Sequence, residues 1–183
     1  MELGTLALKS LYLLLPGLIA NMAPVFASKY NILDIPVDLG RKWKGKPIFG
    51  AHKTYRGFLF GIIYAVVIVY IQKILFLDFA AFRHISLIDY SSTNVLLLGF
   101  LLGFGTLFGD LTESFFKRRR GIGSGQPWIP WDQLDLVIGA LIFLAIIYIP
   151  PISVVAFLII TVPILHVASK HIGYYLGISE KKW

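Results

Sequence analysis

The run VLLLGFLLGFGTLFGDLTESFFKRRR, residues 95–120, decides the fold. It opens with an uncharged stretch, Val95–Phe108, and closes on four consecutive cations, Lys117 to Arg120. Read as part of a helix over Ser92–Phe116, it is long enough to cross the hydrocarbon core of a bilayer. A carboxylate at that depth costs about 2.5–3.5 kcal/mol on insertion scales, so Asp110 and Glu113 within the span need partners. Asp110, Glu113, Ser114 and Lys117 stand at i, i+3, i+4 and i+7, which puts acids, a hydroxyl and a base on one helical face. Either this face carries chemistry, or it is an interfacial helix end where Asp110 pairs with Lys117 across two turns. Gly99, Gly103, Gly105 and Gly109 recur at a spacing that lets neighbouring helices approach closely.

Around this segment the whole chain is apolar. Of its 183 residues 57% are hydrophobic and 15% charged, with a mean hydropathy of +0.75. A soluble domain has roughly 45–50% and about 25%. Spanning stretches are expected over Thr5–Ala27, Gly57–Leu77, Ser92–Phe116, Gln133–Ile149 and Ile152–Leu176. Five crossings of roughly 20 residues leave about 80 residues for every loop and tail, too few for a soluble catalytic domain. The expectation is an all-α integral membrane protein of five transmembrane helices, a single domain over residues 1–183. The first stretch reads as a retained span: it lacks a basic start before Lys9 and contains Asn21 and Pro24. Pro150-Pro151 allows only a tight turn, and Pro163 is expected to kink the last helix. With no cysteine, disulfides, thiolate metal sites and cysteine nucleophiles are excluded.

Charge sets the orientation. Of 17 basic residues, seven lie in Lys29–Arg56, four in Lys117–Arg120 and three in the tail from Lys170 to Lys182. These 14 fall on one side of a five-span arrangement, with Lys9, Lys73 and Arg83 elsewhere, which places the N-terminus outside and the C-terminus in the cytoplasm. The net charge of +7 suits an anionic membrane surface or anionic substrate better than nucleic acid. Arg41, Lys42, Lys44 and Lys46 read as surface anchors.

Further candidates lie on both sides of the third span. Asp132 and Asp135 stand three apart at the start of the fourth; Asp132 suits a helix cap, whereas Asp135 enters the apolar run. With Asp110 they offer oxygen ligands from two helices to a hard cation such as magnesium. In Phe49-Gly50-Ala51-His52-Lys53-Thr54-Tyr55-Arg56-Gly57, two cations flank a threonine just before a helix, a grouping suited to phosphate. It is not a Walker loop. Asn21, three residues before Pro24, either hydrogen-bonds a backbone group freed by the proline or orients a ligand. Histidines 52, 84, 166 and 171 have no metal-ligand spacing, His166 reads as a packed helix residue, and no nucleophile elbow or paired-histidine zinc motif is present.

Taken together, Gly109-Asp110-x-x-Glu113-Ser114-x-x-Lys117-Arg118 and Asp132-Gln133-Leu134-Asp135 resemble the signature of the CDP-diacylglycerol synthase group of membrane cytidylyltransferases. The loop His52-Lys53-Thr54-Tyr55-Arg56-Gly57 is similar to that group's lysine-lysine-threonine loop. Ala20-Asn21-Met22-Ala23-Pro24, the small size and the Asp-Gln-Leu-Asp motif resemble its archaeal branch, the CDP-archaeol synthases, over nearly the whole chain. The proline-glycine-histidine-glycine-glycine run of bacterial members is replaced by residues 121–131, and their aspartate-arginine-x-aspartate arginine by Gln133, so cytidine contacts made there do not carry over.

The resemblance implies metal carboxylates at Asp110 and Asp132, with Asp135 in support, and phosphate binding by Lys53, Lys117 and Arg118. It implies a catalytic set of Asp110, Asp132, Lys53 and Lys117, a substrate-binding set of Asn21, Thr54, Arg56, Ser114, Arg118 and Asp135, and Mg2+ as cofactor. The implied reaction joins CTP to an isoprenoid ether-lipid phosphate, 2,3-di-O-geranylgeranylglyceryl phosphate, at the cytoplasmic face of the cell membrane. Two other readings use similar groups: a CTP-dependent polyprenol kinase releasing CDP, and a lipid or ion transport protein whose charged face lines a pathway.

Overall fold

The computed structural model describes residues 2–27, 29–30 and 32–175. Among the described residues the regular structure is helical apart from one two-stranded hairpin: α1 Leu3–Ala27, β1 Lys42–Trp43, β2 Lys46–Pro47, α2 Tyr55–Asp78, α3 Ala80–Ile85, α4 Val95–Arg119, α5 Trp131–Leu144 and α6 Ile152–Tyr175. Among the described residues α1, α2 and α4 are long and apolar enough to cross a membrane, and α6 adds a shorter apolar segment, Ile152–Ala168. Helix α6 runs through Pro163. Leu176 and the tail lysines 181 and 182 lie outside the described residues.

Helix α4 is the axis of the bundle, with α1, α2 and α5 packed around it. Its glycines face two ways. A Cβ on Gly99 would lie 2.6 Å from the Val66 Cα and one on Gly103 2.7 Å from the Ala65 side chain, so both serve the α2 contact. A Cβ on Gly105 would lie 2.6 Å from the Gly139 carbonyl oxygen, and one on Gly109 would strike the carbonyl oxygen of Asp135, so these serve α5. The small-residue pattern thus brings backbones into contact on two faces of one helix. The Gly109 contact brings the Asp110 and Asp135 turns together.

At the opposite end the core holds a polar staple. Pro16 lacks an N–H, so α1 leaves the Tyr12 carbonyl without its helical donor. The Gln72 amide of α2, 1% exposed, supplies it: Nε2 donates to that carbonyl at 2.6 Å, while Oε1 accepts from the Tyr90 hydroxyl at 3.1 Å.

Two elements depart from the expected spans. Helix α5 ends at Leu144 rather than Ile149, because Pro150 and Pro151 have no N–H to donate back and the chain turns from Ala145 onward. The short α3 follows α2 after a one-residue break at Phe79.

Candidate active site

The loop that closes the site is folded. Lys44 and Gly45 both take positive φ, 51° and 77°, which matches the two-residue turn between β1 and β2. Arg119, at the end of α4, donates to the carbonyls of Trp43, Lys46 and Pro47, and its guanidinium lies 5.3 Å from both the Trp43 and Phe115 rings. Lys46 Nζ in turn donates to the Arg119 carbonyl at 3.0 Å. Arg41, Lys42, Lys44 and Lys46, expected as surface anchors, are all exposed, and Lys46 also ties the hairpin to α4.

Beneath this hairpin a chamber of about 430 Å3 opens between the loop and helices α4, α5 and α6. Asp110, Glu113, Ser114, Lys117 and Arg118 line it from α4, and Asp132 and Asp135 from α5. The loop contributes Phe49, Gly50, His52 and Lys53. Lys53 Nζ donates to both Asp110 oxygens, at 2.6 and 2.5 Å, across 57 residues of sequence. Lys117, only 8% exposed, donates to Asp132 Oδ1 at 2.6 Å and lies 3.6 Å from Glu113 Oε1. The other Asp132 oxygen accepts from the Trp128 N–H at 2.8 Å. Lys117 thus partners Asp132 and Glu113, and Asp110 takes Lys53 rather than Lys117.

Asp110, Glu113 and Asp135 each present an oxygen, and these oxygens all lie within 4.8 Å of one another. Three hard oxygen donors at that separation, with Glu113 Oε1 buried and lacking a hydrogen bond, fit a divalent cation. Glu113 is the member that the sequence argument left out of its site. Its place on the reactive face was legible; its meeting with Asp135 depends on how closely α4 and α5 approach. Asp132, the expected second ligand, sits in the same chamber with its carboxylate held by Lys117 and Trp128.

The other candidates divide. Ser114 and Arg118 line the chamber, Arg118 Nη1 donating to the Ile122 carbonyl at 2.8 Å. Asn21 and Thr54 line an adjoining cavity of about 120 Å3 with Lys53 and Asp110, and the Thr54 hydroxyl caps α2 by accepting from Gly57 N–H at 3.2 Å. Arg56 faces elsewhere: it pairs with Asp34 at 2.9 Å and donates to the Tyr30 carbonyl at 2.7 Å. His166, expected to be packed within its helix, lines the chamber from α6. On the far side of Glu113 and Asp135 lies an apolar groove of about 270 Å3 between α4 and α5, walled by Phe108, Phe116, Trp128, Trp131, Ile138 and Phe143.

The fold and site define a multi-pass membrane protein with a carboxylate-rich, lysine-bridged chamber between its helices. Residues 3–183 match the CarS-like family model, CDP-archaeol synthase, and the chain belongs to that family. The CDP-archaeol synthase of Methanococcoides burtonii is 37% identical over 81% of this chain and 90% of its own length. That of Methanococcus maripaludis is 35% identical over the full length of both. A solved structure, described as an intramembrane enzyme for archaeal membrane lipids biosynthesis, superposes with a TM-score of 0.71 at 29% identity, covering 87% of this chain and 90% of that one.

Proposed function

We propose that the chain transfers the cytidylyl group of CTP to 2,3-di-O-geranylgeranylglyceryl phosphate, forming unsaturated CDP-archaeol and pyrophosphate. The observation that carries this reading is the contact between two unlike spaces. A chamber lined by Lys53, Lys117 and Arg118 suits a polyphosphate, an apolar groove suits isoprenoid chains, and Glu113 and Asp135 border both. In this reading five segments cross the cell membrane, with the N-terminus outside, the C-terminus in the cytoplasm and the chamber facing the cytoplasm. The basic residues of 29–56 and 117–120 support that orientation. Helix α5, 14 residues and about 21 Å long, suits a crossing whose inner end opens into the recessed chamber.

The lipid phosphate has a second pKa of about 6 and is largely a dianion at neutral pH, so its oxygen needs no general base. It attacks the α phosphorus of CTP in line; the new P–O bond forms as the bond to the β-phosphate oxygen breaks, and pyrophosphate leaves with the electron pair. Lys53, Lys117 and Arg118 reduce the repulsion between the two anions and hold them in register, without a covalent intermediate. Asp110, Glu113 and Asp135 are the residues to hold a divalent cation, Mg2+ in this reading. When bound, the ion supplies charge neutralisation and orientation of phosphate oxygens. Lys53 donates to both Asp110 oxygens, and a cation held by Asp110 would compete with that ammonium for the carboxylate charge, leaving Lys53 freer to meet phosphate.

The test is reconstituted protein with CTP, Mg2+ and either the lipid phosphate or its dephosphorylated alcohol. Pyrophosphate and CDP-lipid from the phosphate, and nothing from the alcohol, are expected. Phosphorylation of the alcohol with release of CDP points to a kinase, and no nucleotide turnover points to transport.

A further inference from the structure

Lys53 belongs to no regular element, yet its ammonium is placed on Asp110 across the width of the site. What fixes the backbone that carries it lies one layer out. Residues 33–38 run antiparallel beside 49–56: Val37 N–H donates to the Lys53 carbonyl at 2.7 Å, Tyr55 N–H to Ile35 at 3.0 Å and Arg56 N–H to Leu33 at 2.9 Å. At the turn end of this pairing the backbone contacts give way to one side chain. Asp38, 6% exposed, accepts from Gly40 N–H at 2.9 Å through Oδ1. Its Oδ2 accepts from Phe49 N–H at 2.9 Å and Gly50 N–H at 3.0 Å. Gly50, at φ 103°, then receives the Lys53 N–H on its carbonyl at 3.3 Å. The path from carboxylate to ammonium is therefore Asp38, Gly50, Lys53, Asp110.

We propose that Asp38 is a positioning residue that presents Lys53 to the reacting phosphates by holding the Phe49-Gly50 turn over the chamber. This rests on the reading of Lys53 as a phosphate-binding group. Asp38 does not line the chamber, and three backbone N–H groups occupy its oxygens, so it acts through the loop. Burial pushes its carboxyl up, but the N–H bonds from Gly50, Phe49 and Gly40 outweigh this and hold it below the ordinary carboxylate range. The group is therefore an anion wherever the loop is folded near neutrality. A carboxylate is the side chain that can accept from all three donors at once.

A double-mutant cycle with Lys53 tests the assignment. Asp38→Ala should lower kcat/KM by about 10–100-fold, the loss expected when a reacting group moves by about 1 Å. In a Lys53→Ala background the same change should cost less than about threefold, since the group that Asp38 places is gone. Asp38→Asn, which keeps one acceptor oxygen, should recover part of the loss. The chain has no cysteine, so a nitroxide on Ala51→Cys reports this loop alone. Its spectrum should sharpen in Asp38→Ala and not in Lys53→Ala. Equal losses from Asp38→Ala in both backgrounds, or an unchanged nitroxide spectrum, overturn the proposal. Full turnover by Lys53→Ala itself overturns the reading of Lys53 instead, and the nitroxide still decides whether Asp38 holds the loop. If Asp38→Ala does not fold, Asp38→Asn carries the same cycle at smaller amplitude.

Discussion

Gly105→Ala puts the packing of α4 on α5 to a quantitative test without touching a charged group. The added Cβ would lie 2.6 Å from the Gly139 carbonyl oxygen, 2.9 Å from the Phe143 Cβ and 3.2 Å from the Ala140 Cα. Ordinary contact begins near 3.4 Å, so the carbonyl must retreat by 0.8 Å. That atom is backbone, and no rotamer change relieves it; α5 must move as a body or tilt. Asp135 lies one turn from Gly139 on the same helix, and Asp110 little more than a turn from Gly105, so the displacement passes into the carboxylate triad. Overpacking costs about 1–3 kcal/mol of stability, and a misplacement near 1 Å costs about 100-fold in rate. The expected result is a folded protein with unfolding shifted by that amount and kcat down about 10–100-fold. Gly4→Ala, with nothing within 4 Å, is the control. The assay is pyrophosphate release in proteoliposomes, with denaturation followed in detergent. Unchanged turnover and stability in Gly105→Ala would refute the argument that this helix contact sets the site.

Three further changes separate chemistry from support. Asp110→Asn keeps size and removes ligand charge, so turnover should fall at least about 100-fold while membrane insertion and folding are retained, checked by size-exclusion and activity together. Lys117→Met strands the buried Glu113 and takes from the partly buried Asp132 its cation, and should cost about 3–5 kcal/mol in denaturation, far more than a surface lysine. Gln72→Leu leaves the Tyr12 carbonyl and the Tyr90 hydroxyl without their partner. A loss of about 1–3 kcal/mol for each stranded group is expected, with turnover per folded molecule unchanged.

Hydropathy made the long helices legible, because α1, α2, α4 and α6 are built on long apolar runs, and the described ends of these helices lie within a few residues of the expected ones. The hairpin was not legible: its strands are two residues each, too short for any alternation, and its charges read as surface anchors. Asp110, Lys53 and Lys117 could be named as candidates from residue type and position, since charges beside apolar runs are costly enough to mark themselves, and Asp132, which suits a helix cap, from the family resemblance. Their pairing could not. Helical periodicity suggested Asp110 with Lys117, two turns apart on one face; the tertiary arrangement gives Asp110 a lysine from the loop and gives Lys117 an acid from α5. Arg56 failed for a local reason. It is the second residue of α2, where its guanidinium meets Tyr30 and Asp34 rather than the chamber.

The same charges answer for insertion and for chemistry. Four carboxylates placed among apolar helices could not remain ionised at tolerable cost without cations beside them, and Lys53 and Lys117 meet three of them directly. A phosphate ligand must therefore compete with those pairings, and it gains only where the released carboxylate finds another positive partner. Asp110 and Glu113 each share the reach of Asp135, so the released oxygens converge on one point instead of dispersing. That convergence requires the Gly109 contact with Asp135, since any larger residue there would push α5 off the site. The glycine beside Asp110 is thus as much a condition of the proposed chemistry as the aspartate.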